Sequence, residues 1–313
     1  MNPLFSVVIS VYNKELEINN TISSVLAQTF TDFEMVVVND GSTDDSLSKL
    51  QSINDPRLNI FTTENKGVSH ARNFGIKKSS SQFIAFLDGD DLWKPHHLQD
   101  LKVLSEAHPK CGMYCKAYEK NYHNKLVVKA TYNGIEGVFH GILEDYFKNS
   151  LVDSIAWTSA IAIPKSIFNT HGYFDELLKS GQDTDLWIRI ALKERIAFSS
   201  TISATRLFTM SKNHLSQSSH VKQRIKIIER YQKYEVGNEN LKKYLDLNRY
   251  SIALERKIIG DLASYRNLIQ NIDTASLNSK QKLLLKLPRF WVRLLKKKQG
   301  FLIKNKLYIS AFR

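Results

Sequence analysis

Phe5-Ser6-Val7-Val8-Ile9-Ser10-Val11 is an apolar, β-branched run that gives way at once to Tyr12-Asn13-Lys14. So apolar a run predicts a strand buried on both faces, as in a parallel sheet covered by helices. The pattern recurs downstream. Similar runs occupy 33–39, 58–62 and 83–87, and helical periodicity fills 15–28, 43–52, 68–77 and 95–107. This alternation predicts an α/β, doubly wound, mostly parallel sheet with right-handed crossovers. Sheets of that kind bind ligands outside the carboxyl ends of their strands. The residues just after each strand are therefore the first to examine.

Those strand ends are polar. The second run closes in Asn39-Asp40-Gly41-Ser42-Thr43-Asp44, and the third is followed by Glu64-Asn65-Lys66-Gly67 and a helix carrying Arg72 and Asn73. The fourth ends in Asp88-Gly89-Asp90-Asp91. Beyond residue 112 the pattern is mixed. Strand-like stretches at 113–119, 126–131 and 155–163 surround a helix near 142–148, which suits an added region lining an acceptor cleft. A helix at 184–193 and a strand at 196–208 follow.

The chain has 313 residues, 42% hydrophobic and 24% charged, as expected of a soluble globular protein with one large or two small domains. Its net charge of +13 is unevenly spread. Residues 1–220 hold 22 Lys/Arg against 24 Asp/Glu, whereas residues 221–313 hold 22 against 7. Nucleic-acid binding by the whole protein is not the natural reading, and the basic excess belongs to the last third. The expected division is a sheet-bearing unit over 1–220 followed by a basic helical region over 221–313. Within the unit, 1–110 form the half with the polar strand ends and 111–220 the half suited to lining an acceptor cleft. Cys111 and Cys115 read as small buried hydrophobes, too few for a disulfide framework and without zinc-site partners. The first strand lacks a following G-x-G-x-x-G, and no G-x-x-x-x-G-K occurs, which argues against nicotinamide and P-loop enzymes. The opening residues lack a basic leader, and no uncharged apolar run nears the roughly 18 residues of a spanning helix. A cytoplasmic location is expected.

Asp88 and Asp90 sit two residues apart beyond a strand end. Carboxylates so placed can hold Mg²⁺ or Mn²⁺, ions that share their ligand shell with substrate phosphates. The structural alternative is an acidic turn with Asp91 capping the next helix. Asp40 can accept the imide N–H of a uracil, or simply form a turn. Tyr12 can stack on a base, and Lys14 can reach phosphate. Arg72 can offer charge-assisted bonds to a diphosphate or form a surface ion pair. Asp183, in Gln182-Asp183-Thr184-Asp185-Leu186-Trp187, lies where acids complement a helix dipole, but a general base can sit there too. His214, in a polar stretch, can ligate a metal, touch phosphate or remain solvated. Residues 282–313 carry ten Lys/Arg and no acid, interleaved with residues such as Phe290, Trp291, Leu294, Leu295 and Phe301. That pattern fits an interfacial helix on an anionic membrane. RNA binding, or a helix packed on the catalytic unit, are the alternatives.

Together these residues resemble family 2 glycosyltransferases of the GT-A fold, inverting enzymes that use nucleotide-sugars. Ser6–Asn13, residues 22–30, Val38–Asp44, Asn65-Lys66-Gly67 with Ala71-Arg72-Asn73, Phe86–Asp91 and Gln182–Trp187 carry the resemblance, over about residues 4–220. It implies Asp40 at the uracil with Tyr12 beside the base, Asp88 at the ribose, Asp90 at the metal and Asp183 as base. Two positions depart from the family pattern. Gln182 stands where Glu often precedes the base, and Asn39 where the first acid of a pair is common. Neither a Gln-x-x-Arg-Trp block nor transmembrane helices are present, so addition of a single sugar is expected. The expected substrates are a UDP-sugar and a lipid-linked or surface-polysaccharide acceptor, and the expected place is the inner face of the cytoplasmic membrane. The competing functions are a nucleotide-binding regulatory protein of the same fold that has lost transfer, and an RNA-binding protein acting through the tail.

Overall fold

The computed structural model describes residues 2–122, 126–208 and 221–312. The chain begins β1 (Phe5–Val11), α1 (Ile18–Leu26), β2 (Phe33–Asn39), α2 (Ser46–Gln51), β3 (Leu58–Thr62), α3 (Val68–Lys78) and β4 (Phe83–Asp88). It continues through β5 (Leu92–Trp93), α4 (His97–Ala107), β6 (Met113–Tyr122), β7 (Leu126–Lys129), β8 (His140–Ile142) and α5 (Tyr146–Asn149). Then come β9 (Ile161–Pro164), α6 (Lys165–His171), α7 (Gln182–Ala191) and β10 (Ile196–Phe208). Five helices close the chain: α8 (Val221–Gln232), α9 (Glu239–Ile259), α10 (Leu262–Gln270), α11 (Ser279–Lys286) and α12 (Arg289–Lys304).

One sheet runs in the order β3-β2-β1-β4-β9-β6-β10-β5, with β7 on β6 and β8 on β10. The first four strands pair in parallel, as does β10 with β6, while β9 runs antiparallel between β4 and β6. Strand order reverses at β1, between β2 and β4, and such a switch point opens a crevice at the strands' carboxyl ends. The apolar runs explain the core: β1, β2 and β4 are buried almost throughout. α3 lies close on the sheet because it has Gly75 at the crossing. A Cβ there would stand 2.5 Å from Val8 Cγ1.

Two expectations need correction. Of the 155–163 stretch, only its end is strand. Ile155, Ala156 and Trp157 are buried without strand pairing, and a 3₁₀ turn at Thr158–Ala160 precedes β9. The helix expected near 142–148 is the short β8 followed by α5, a single turn whose cap is Asp145 accepting from the Lys148 amide. Short apolar runs carry too little periodicity to separate the two states.

The C-terminal region is helical, as its pattern predicts. Its first helices share the core of the sheet: Ile227, Ile228, Tyr231, Leu241, Tyr244 and Leu245 join the same apolar cluster as β1 and β4. α12 is different. It buries Val292, while Phe290 is 68% exposed, Trp291 52% and Phe301 66%. Among the described residues, no helix is long and apolar enough to cross a membrane.

Candidate active site

The ends of β1, β2 and β4 open on a cleft of about 830 Å³, closed from the other side by the start of α7 and the end of β10. Tyr12, Lys14, Asp40, Arg72, Asp88, Asp90 and Asp183 all line it. Seven of the eight residues singled out from the sequence thus meet in one place. The eighth, His214, lies outside the described residues.

Asp40 follows β2, and its amide donates to Val11 O (2.8 Å), tying the ends of β1 and β2 together. Its buried carboxylate accepts from the amides of Gly67 (2.8 Å) and Lys66 (3.1 Å) and from Thr63 Oγ1 (3.2 Å). A carboxylate has about four acceptor sites, so capacity remains for a ligand N–H. Tyr12, 43% exposed, stands beside it at the end of β1.

Asp88 and Asp90 each hold a cation from a neighbouring element. Arg72, buried on α3, reaches Asp88 at 2.6 Å, and Lys14 reaches Asp90 at 2.6 Å. The Arg72 guanidinium also lies 5.2 Å from the centre of the Phe174 ring, and its Nη1 is buried without a hydrogen-bond partner. Such a donor is costly unless a ligand oxygen completes it. Asp91 does not cap a helix. It is buried, accepting from Ser159 Oγ (2.7 Å) and the Leu207 amide (3.1 Å), and α4 starts only at His97. Burial pushes its carboxyl well above the usual range, and the charges of Asp90 and Asp88 push it further. Asp88, Asp90 and Asp91 all line the cleft, the first two paired with Arg72 and Lys14. Among the described residues, no group of three or more His, Cys, Asp or Glu is placed to hold a metal.

Across the cleft, α7 begins at Gly181, and its first turn sorts three side chains. Asp183 is half-buried at the cleft, its Oδ1 accepting from the Thr184 amide (2.7 Å). Gln182 is buried, with Oε1 lacking a partner. Asp185 is wholly buried and turned toward Arg189, Arg230 and Tyr231. Burial raises the pKa of Tyr244 on α9, and the charge of Asp183 raises it further. Asn73 clamps the two halves: it donates to Phe174 O (2.9 Å) and accepts from the Phe174 amide (3.0 Å).

Sequence reasoning missed Ser159, Glu176, Lys179, Arg206 and Arg224. All but Ser159 line the cleft. Arg206 had a signal, a lone cation in the second half of a strand. Its guanidinium lies over the Phe208 ring at 4.9 Å. Ser159 had none, because the 3₁₀ turn that presents it to Asp91 was read as strand.

A parallel-sheet switch point, acids at the ends of its strands and a further acid across the cleft define a fold of the GT-A type. Residues 6–172, just over half of the chain, match the family described as "Glycosyl transferase family 2". The chain belongs to that family. It is 30% identical over 235 residues to the Escherichia coli "UDP-Glc:alpha-D-GlcNAc-diphosphoundecaprenol beta-1,3-glucosyltransferase WfgD", covering 72% of this chain and 83% of that protein. It is 36% identical over 213 residues to an uncharacterized glycosyltransferase of Rickettsia bellii, covering 64% of this chain. The match spans only 28% of that relative's length. The fold is similar to the crystal structure of Staphylococcus aureus TarS 1-349, with TM-score 0.70, 19% identity, and 98% of this chain and 93% of that one covered. TarS 1-349 has also been solved in complex with UDP-GlcNAc.

Proposed function

We propose that the chain is a metal-dependent inverting glycosyltransferase that moves one sugar from a UDP-sugar to a hydroxyl of a lipid-linked or surface-polysaccharide glycan. The convergence of Asp40, Asp88, Asp90 and Asp183 on one cleft carries this reading. The E. coli relative's printed donor and acceptor, a UDP-sugar and a sugar on a diphosphate lipid, support the substrate classes.

Asp40 accepts the uracil N–H while Tyr12 covers the base. Asp88 holds the ribose. Asp90, with Asp88 near it, would hold Mg²⁺ or Mn²⁺, ions that suit carboxylate oxygens. Asp88 and Asp90, two residues apart at the end of β4, suit that chemistry, and His214 is a further proposed ligand. A bound divalent ion supplies charge to the departing diphosphate. Asp183 takes the proton from the acceptor hydroxyl as its oxygen attacks the anomeric carbon. The bond from that carbon to the diphosphate breaks on the opposite face, and the configuration inverts. Arg72 meets charge developing on the leaving group through its unpartnered Nη1. Holding two substrates in line contributes much of the acceleration.

Replacing the base tests the assignment. Asp183→Asn is expected to bind UDP with Mn²⁺ as the parent does while transfer falls about a thousandfold, within the range of general-base losses. Full turnover in that variant ends the assignment.

α12 supports an anionic membrane as partner and the inner face of the cytoplasmic membrane as location. Phe290, Trp291, Leu294, Leu295 and Phe301 are exposed. Arg293, Lys296, Lys297 and Lys304 lie on the same helix. Apolar side chains beside a cationic stripe match the headgroup boundary of such a surface.

A further inference from the structure

α8 meets α7 at a buried charge. Asp185 shares the first turn of α7 with Asp183 and has no solvent exposure. Its Oδ1 accepts from Arg230 Nη1 (2.6 Å) and the Tyr231 hydroxyl (2.8 Å), both on α8. Its Oδ2 accepts from Arg189 Nε (3.1 Å). The other arm of Arg230 reaches Asp175 at 3.0 Å. One turn and two turns earlier, α8 grips the chain leading into α7. Gln223 accepts from the Lys179 amide (2.6 Å) and donates to Leu177 O (3.2 Å). Ile227 sits against Gly181, where φ is +80° and a Cβ would stand 2.7 Å from Ile227 Cδ1.

These contacts run from Leu177 to Asp185 and bracket Asp183. Two helices that only needed to adhere would do so with apolar side chains, since a buried ion pair often adds little net stability. What a saturated buried carboxylate adds is direction: its partners fix one rotation and one register. Direction matters here because a misplacement of about 1 Å at a reacting group costs on the order of a hundredfold in rate.

We propose that Arg230 and Tyr231 are positioning residues for sugar transfer. Acting through Asp185, they set the first turn of α7 and aim Asp183 into the cleft. The inference rests on the reading of Asp183 as base. It makes the first helix of the basic C-terminal region part of the catalytic apparatus as well as a route to the anchor.

Tyr231→Phe keeps the ring and removes the hydroxyl. Arg230→Ala removes both arms of the guanidinium, and its side chain, 45% exposed, leaves a site that free guanidinium can enter. Both are made in the full chain. Amide hydrogen exchange over 177–186 is expected to speed at least tenfold in each, with β1 and β4 unchanged. With the donor and acceptor that the parent turns over, kcat is expected to fall at least tenfold while the donor KM and the Mn²⁺–UDP affinity stay within twofold. Added guanidinium should restore part of the Arg230→Ala loss. Unchanged exchange over 177–186, or kcat within twofold of the parent, overturns the inference. So does a loss of UDP affinity parallel to kcat, which would mark general unfolding. Asp183→Asn run alongside separates the two claims. If it is inactive and both α8 variants are normal, the positioning role alone fails; if it turns over fully, the base assignment fails first.

Discussion

The cleft and the last helix handle charge in opposite ways. At the cleft, acids lie on strand ends and are held by named partners: Asp40 by two amides and a hydroxyl, Asp88 by Arg72, Asp90 by Lys14. On α12, Lys296, Lys297 and Lys298 are exposed. No carboxylate within ion-pair distance of them is found among the described residues. A fixed, partly buried charge acts in one direction at close range, and its loss is felt almost entirely at one step. Exposed cations on a flexible stem act additively and are screened by salt. On the proposed reading the first region serves the chemistry and the second serves adhesion to a membrane.

That contrast sets an order of effects. The largest belongs to Asp183→Asn, whose thousandfold loss of transfer should come without loss of UDP binding. Asp90→Asn comes next. Removing the carboxylate proposed to hold the ion is expected to weaken Mn²⁺-dependent UDP binding about a hundredfold, the upper end of the loss seen when even a residue supporting a metal's ligands is removed. Calorimetry with and without Mn²⁺ measures it. Asp40→Asn should cost about 1.5–3 kcal/mol of UDP affinity, the usual worth of a hydrogen bond to a charged group, and should relax preference for uracil over other bases. Competition between UDP and GDP reads the second effect. If Asp40→Asn lowers both affinities equally, Asp40 shapes the Gly67 turn and does not read the base.

The smallest effects lie on α12. Each of Lys296→Ala, Lys297→Ala and Lys298→Ala should lose about 1 kcal/mol of affinity for vesicles containing phosphatidylglycerol, roughly fivefold apiece, with the losses adding. Raising the salt should weaken the parent more than the triple variant. Vesicle sedimentation is the measurement. Binding that ignores both salt and lysine content breaks the comparison from the tail's side.

The first 110 residues were legible because their strands are continuous apolar runs. The expected bounds of β1, β2 and β3 coincide with those observed, and β4 extends one residue further to Asp88. Polar residues at four successive strand ends pointed to one edge, and the topology brings them there. Between 140 and 164 legibility failed. The elements are three or four residues long, and what decides them is pairing with β4, β6 and β10 far away in sequence. Asp91 illustrates the same limit. As a string it looks like a helix cap, and only the arrival of Ser159 and Leu207 buries it. Asp185 was legible as a helix-start acid, but its partners on α8 lie 45 and 46 residues on. No local pattern announces such a pairing.

The central claim is that the acids at 40, 88, 90 and 183 serve a single site for a metal-bound UDP-sugar. Titration of UDP into the parent and the three variants Asp40→Asn, Asp90→Asn and Asp183→Asn, each with and without Mn²⁺, tests it most directly. The account predicts Mn²⁺-dependent binding in the parent, retained in Asp183→Asn and lost or severely weakened in Asp40→Asn and Asp90→Asn. Equal affinity in all four proteins, indifferent to Mn²⁺, contradicts it.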